Sequence, residues 1–124
     1  MPFPIVSGIP KRTPVKLVSQ LRRDIVAVLV NKLNCSPAVI TPFFPKDWLD
    51  APVESEDGGK TIYIRLDTGM LDGWSSGEEA DNLATELTGA VAQVVFDAFH
   101  GEIEVECFIG DLVPKWRTLL KPSG

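Results

Sequence analysis

The residue in this chain best suited to chemistry is the second one. Proline directly follows Met1. If Met1 is removed, Pro2 becomes a secondary amine at the chain terminus. An α-amino group titrates at about 7.7–8.0, below an ordinary lysine. Partial burial lowers that value further, because desolvation disfavours the ammonium form. Such an amine can serve as a general base near neutral pH. Phe3, Pro4 and Ile5 supply apolar surroundings. If Met1 stays attached, Pro2 is an amide and has no such chemistry. Many chains open Met-Pro without consequence, so the dipeptide needs support from its setting.

The remaining reactive types do not assemble a familiar motif. His100 is the one histidine, so no histidine cluster can hold a metal, and no metal or cofactor is expected. It falls at the end of a helical pattern, where a positive charge suits the helix terminus. Cys35 and Cys107 form no CxxC pair and no disulfide framework, which reads as free thiols in a reducing cytosol. Gly58-Gly59 neither follows a strand nor opens a helix, so it is no phosphate loop. Ser75 and Ser76 have no histidine nearby and read as helix caps. Lys11, Arg12, Lys16, Arg22 and Arg23 form a local basic cluster. A solvated helix face explains that cluster, and a small anionic ligand is the sharper alternative.

Composition bounds the rest. The chain has 124 residues, is 44% apolar and carries a formal net charge of -5. That length can bury a core without staples. An acidic chain repels phosphate backbones, so nucleic acid is not an expected partner. The apolar stretch Ile25 to Val30 is far too short to span a bilayer. No signal peptide is visible. The expectation is a cytoplasmic domain that engages no membrane.

The elements that must position Pro2 come in two similar halves. Phe3 to Ser7 is a short apolar run and reads as a strand. Thr13-Pro14 then reads as an N-cap with proline at N1. Val15, Val18, Leu21, Ile25, Val28, Leu29 and Leu33 recur at helical spacing. Val39 to Phe44 reads as a second strand, edged or irregular because of Pro42. Residues 46–60 are acidic and turn-rich, a loop. Thr61 to Asp67 alternates as a third strand. Ser76 and Glu79 can form a capping box for a helix running through Leu83, Leu87, Val91, Val95 and Phe99. Gly101 reads as its C′ residue, and Ile103, Val105 and Cys107 as the inward positions of a fourth strand. The sum is an α/β (α+β) tandem βαβ domain over residues 1–124. Its halves are 1–45 and 61–110, its loop 46–60 and its C-terminal tail 111–124. Both helices should cover one face of a four-stranded mixed sheet. The ferredoxin-like arrangement shares this element order. The other sheet face mixes Tyr63, Arg65 and Phe108 with Glu104 and Glu106, and is either solvated or covered by identical subunits.

Met1-Pro2 opening directly into a strand, and a turn ending in Arg12-Thr13 before a helix, resemble the tautomerase superfamily. Ser36-Pro37-Ala38-Val39-Ile40 with Phe43-Phe44-Pro45 is similar to that family's second strand. Thr61-Ile62-Tyr63-Ile64 followed by Gly73-Trp74-Ser75 is similar to its third strand and helix entry. The resemblance implies a tandem βαβ domain, a homotrimer and an amino-terminal proline as acid and base. It implies Pro2 as the catalytic residue, Arg12 as the group that binds a substrate carboxylate, and Phe108 as a pocket aromatic. The activity implied is a cofactor-independent keto–enol isomerisation of a small carboxylate-bearing molecule. Arginines used by the oxalocrotonate tautomerase and chloroacrylic acid dehalogenase relatives would fall near Thr41, Leu71 and Trp74, and are missing. Hydrolytic dehalogenation is therefore not implied. A non-catalytic protein of the same fold and a ferredoxin-like interaction domain stay open as alternatives, and Arg65 and Asp111 receive no role.

Overall fold

The computed structural model describes residues 4–10, 12–45, 61–66, 77–110 and 117–123. Among these residues four strands and two long helices follow in the order β1 (Ile5–Ser7), α1 (Val15–Leu33), β2 (Thr61–Leu66), α2 (Gly77–Ala98), β3 (Glu104–Ile109) and β4 (Arg117–Leu120). The strands lie side by side in that same order. β1 and β2 are antiparallel, β2 and β3 parallel, and β3 and β4 antiparallel. The sheet is therefore mixed, as the two-half reading requires.

Alternation decides which sheet face is buried. Ile62, Ile64 and Leu66 on β2 and Val105, Cys107 and Ile109 on β3 are fully buried. Tyr63 and Arg65 between them are exposed. Ile64 pairs with Cys107, and Val6 with Ile64, so one continuous apolar face crosses the three strands. Leu21, Ile25 and Leu29 on α1 recur every four residues, as do Leu83, Leu87, Val91 and Val95 on α2. All join the same core. A four-residue interval stacks side chains on one helix face, and burying each such side chain is worth about 1.5–3 kcal/mol. Both helices thus bury their stripes on a common core.

Four local expectations are corrected. The strand expected over Val39 to Phe44 is a 3-10 turn, Pro37–Val39, followed by a single parallel bridge between Phe43 and Ile5. Pro42 has no amide proton and cannot extend the ladder. Thr13 is not the helix cap: Pro14 occupies that position, and the Thr13 hydroxyl donates backward to the Pro10 carbonyl at 2.6 Å. At the end of α2 both His100, with φ 59°, and Gly101, with φ 69°, are left-handed, and it is His100 that stands first. Its N–H donates to Asp97 O at 3.0 Å, while Gly101 N–H donates to Phe96 O at 2.9 Å. Gly101 is thus the residue after C′. Finally, β4 lies in the stretch read as a tail. The proposed Ser76 cap falls outside the described residues.

Candidate active site

Pro2 lies outside the described residues, and Pro4 is the first residue described. Pro4 is buried. Its carbonyl accepts from Phe43 N–H at 2.8 Å, and Val6 N–H donates to Phe43 O at 2.9 Å. On its other side β1 pairs through Ile5, Val6 and Ser7 with Arg65, Ile64 and Tyr63. A three-residue strand is thereby held from both flanks, and whatever precedes Pro4 leaves a fixed element.

The outer sheet face at this end has a distinct chemistry. Ile5 pairs with Arg65, Arg65 with Phe108, and Phe108 with Arg117. Paired Cα atoms in such ladders lie about 5 Å apart. Arg65 is exposed and Phe108 half-buried. The next outward row holds Ser7, Tyr63, Glu106 and Leu119. Beyond it Thr61 donates to the Glu104 carboxylate at 3.3 Å. Arginine positions thus occupy the end where β1 begins, and glutamates the middle and far end. Sequence alternation had put Arg65 on the outer face without assigning it work. Only the strand register brings it beside Ile5 and Phe108.

Arg12 is at the opposite end. It is exposed, in the turn between β1 and α1. With Pro10, Leu17, Phe99, His100 and Ile103 it lines a cavity of about 300 Å³. Ile103 precedes β3, whereas Phe108 is near its end. Five residues of strand separate them by roughly 17 Å. Arg12 and Phe108 therefore do not meet in one chain. The basic cluster also disperses. Arg22 lies over the Phe44 ring, 5.7 Å from its centroid, and Arg23 donates to Gln20 at 2.9 Å.

Both cysteines are free, Cys107 buried and Cys35 half-buried. Burial pushes the Cys107 thiol far above its ordinary range, which makes it a poor nucleophile. Among the described residues no group of three or more His, Cys, Asp or Glu side chains could hold a metal. Among them, too, no helix is long and apolar enough to cross a membrane.

No family model matches the sequence, and no curated protein matches it. Solved structures do match in shape. Native Ps01740 superposes with a TM-score of 0.62 at 8% identity, over 92% of this chain and 96% of its own. A fused 4-OT solved as a symmetric trimer gives 0.60 at 18% identity, over 89% and 85%. Pt0534 inactivated by 2-oxo-3-pentynoate gives 0.53 at 13% identity, over 87% and 85%. The chain therefore has the βαβ fold of tautomerase-family structures.

Proposed function

We propose that this chain is a tautomerase-type isomerase that moves a proton α to a carbonyl in a small carboxylate-bearing molecule. The observation that carries the proposal is the anchoring of β1. The strand that starts immediately after Met1-Pro2-Phe3 is hydrogen-bonded on both sides. An amine two residues before Pro4 can lie no more than about 7 Å from it along the chain. That short reach from a strand fixed on both flanks is the kind of tether an acid/base group needs.

In this reading Pro2, freed of Met1, shuttles the proton between the α-carbon of the keto form and the oxygen of the enol. Phe108 lines the pocket, and Arg12 binds a carboxylate. The gap between Arg12 and the Phe108 end of the sheet requires that Arg12 come from a neighbouring copy. The working unit is then a homotrimer, the form in which one fused 4-OT neighbour was solved. The compound that inactivated Pt0534 carries a carboxylate next to a ketone, which fits the substrate class. The free thiols suit a reducing cytosol.

Intact mass of protein expressed without an added leader, followed by ketonisation of phenylpyruvate enol, tests the proposal. Loss of the methionine mass and catalysed ketonisation are expected. Protein with a free Pro2 and no activity on enol substrates would leave a non-catalytic protein of this fold.

A further inference from the structure

We propose that Arg65 holds the substrate carboxylate from within the subunit that supplies Pro2. This rests on the reading given under Proposed function. The Arg65 side chain faces out from β2, exposed, and among the described residues it makes no side-chain hydrogen bond or ion pair. Its register partners are Ile5 on β1 and Phe108 on β3. Pro2 precedes Ile5 by three residues, a contour of about 10 Å at most, and Arg65 stands about 5 Å from Ile5 across the strand pair. A guanidinium on that stem can meet a carboxylate whose α-carbon lies against the proline nitrogen. Phe108, next to it in register, offers an aromatic face for the carbon skeleton.

Charge distribution favours an anion at this end. Arg65 stands on the row of Ile5, near the start of β1, while Glu104 and Glu106 stand on the rows farther from it. A carboxylate bound beside Glu106 would meet a like charge. A carboxylate bound beside Arg65 meets a planar fork of donors suited to two parallel hydrogen bonds. Arg12 cannot play this part in the same chain, since its cavity opens at the other end of the sheet. The two arginines thus have different origins in the assembly, Arg65 in cis with Pro2 and Arg12 in trans. A substrate with two carboxylates could use both.

The test uses Arg65→Ala and Arg65→Lys in the full chain, with phenylpyruvate binding and enol ketonisation as readouts. Loss of a charge-assisted pair should weaken phenylpyruvate binding and raise KM roughly 10- to 100-fold. Arg65→Lys should recover part of the binding because the charge returns without the fork. Mixing separates cis from trans. Trimers reassembled from Pro2→Ala and Arg65→Ala should regain nothing, because every site lacks one group or the other. Unchanged binding and KM in Arg65→Ala would overturn the proposal, as would recovery of activity in that mixture. Activity that survives Pro2→Ala would overturn the proline reading instead, and phenylpyruvate binding by Arg65→Ala would still decide the role of Arg65.

Discussion

The hydroxyl oxygens of Thr88 and Thr118 stand 2.9 Å apart, tying α2 to β4. Thr88 is the one fully buried polar side chain among the described residues, and its oxygen also lies 2.9 Å from the Ala84 carbonyl that accepts from it. Thr88→Val preserves volume but removes one hydroxyl of the pair. A loss of about 1 kcal/mol in urea unfolding is expected. The double variant with Thr118→Val should lose less than the sum of the single variants, because replacing both partners leaves no orphaned group. Strict additivity would show that the two hydroxyls are not coupled.

Gly8 is held by a close backbone approach. Its φ is 90°, and a Cβ there would come within 2.7 Å of the Thr61 carbonyl oxygen. Neither the left-handed conformation nor the contact with a sheet backbone can relax cheaply. Gly8→Ala should cost about 2 kcal/mol or more, read as a shift in urea midpoint. An unchanged midpoint would mean that the turn into α1 is looser than this geometry.

His100 shows the opposite case, a side chain where glycine would be easier. Its φ of 59° carries a steric cost of about 1 kcal/mol for a residue with a Cβ. His100→Gly should therefore raise stability by up to about 1 kcal/mol in thermal or urea unfolding. A clear loss would reveal that the imidazole makes a stabilising contact in the Arg12 cavity.

Cys107 should give the protein an alkaline limit. Burial raises its thiol pKa, so the native state keeps a proton that the unfolded chain releases. Its contribution is complete below the ordinary thiol value of about 8.5 and declines as pH rises above it. The slope is about 1.4 kcal/mol per pH unit. The stability difference between wild type and Cys107→Ala should narrow over that range. Thiol labelling of native protein should find Cys35 fast and Cys107 slow. Equal rates would contradict the burial.

The parts legible in the sequence were those governed by periodicity. Leu21, Ile25 and Leu29, and the Ile62–Ile64–Leu66 alternation, announced their elements because each buries a single face. The short strand expected at Val39 to Phe44 failed, since an apolar run interrupted by Pro42 keeps one bridge and no ladder. β4 escaped because Arg117-Thr118-Leu119-Leu120 is too short to show a period. Of the candidate site, Pro2 and Arg12 could be singled out by type and by family pattern. Arg65 could not, because its neighbours Ile5 and Phe108 are distant in sequence, and strand register alone joins them.

Arg12 belongs to the same test of assembly. If it reaches the site from a neighbouring copy, Arg12→Ala and Pro2→Ala are each impaired as pure trimers. Mixed trimers should recover part of the activity, since some sites combine an intact Pro2 with an intact Arg12. Two impaired variants whose mixture recovers nothing would contradict the trans geometry.

The central claim is that the Pro2 amine transfers the proton. The most direct measurement is the rate of phenylpyruvate enol ketonisation by Pro2→Ala beside wild type, both shown by mass to lack Met1. Pro2→Ala keeps an α-amine but exchanges the ring-fixed secondary amine for a freely rotating primary one; losing a positioned acid/base group costs about 10²- to 10⁴-fold, and a loss of that size is the predicted result. A Pro2→Ala protein as active as wild type would contradict the account.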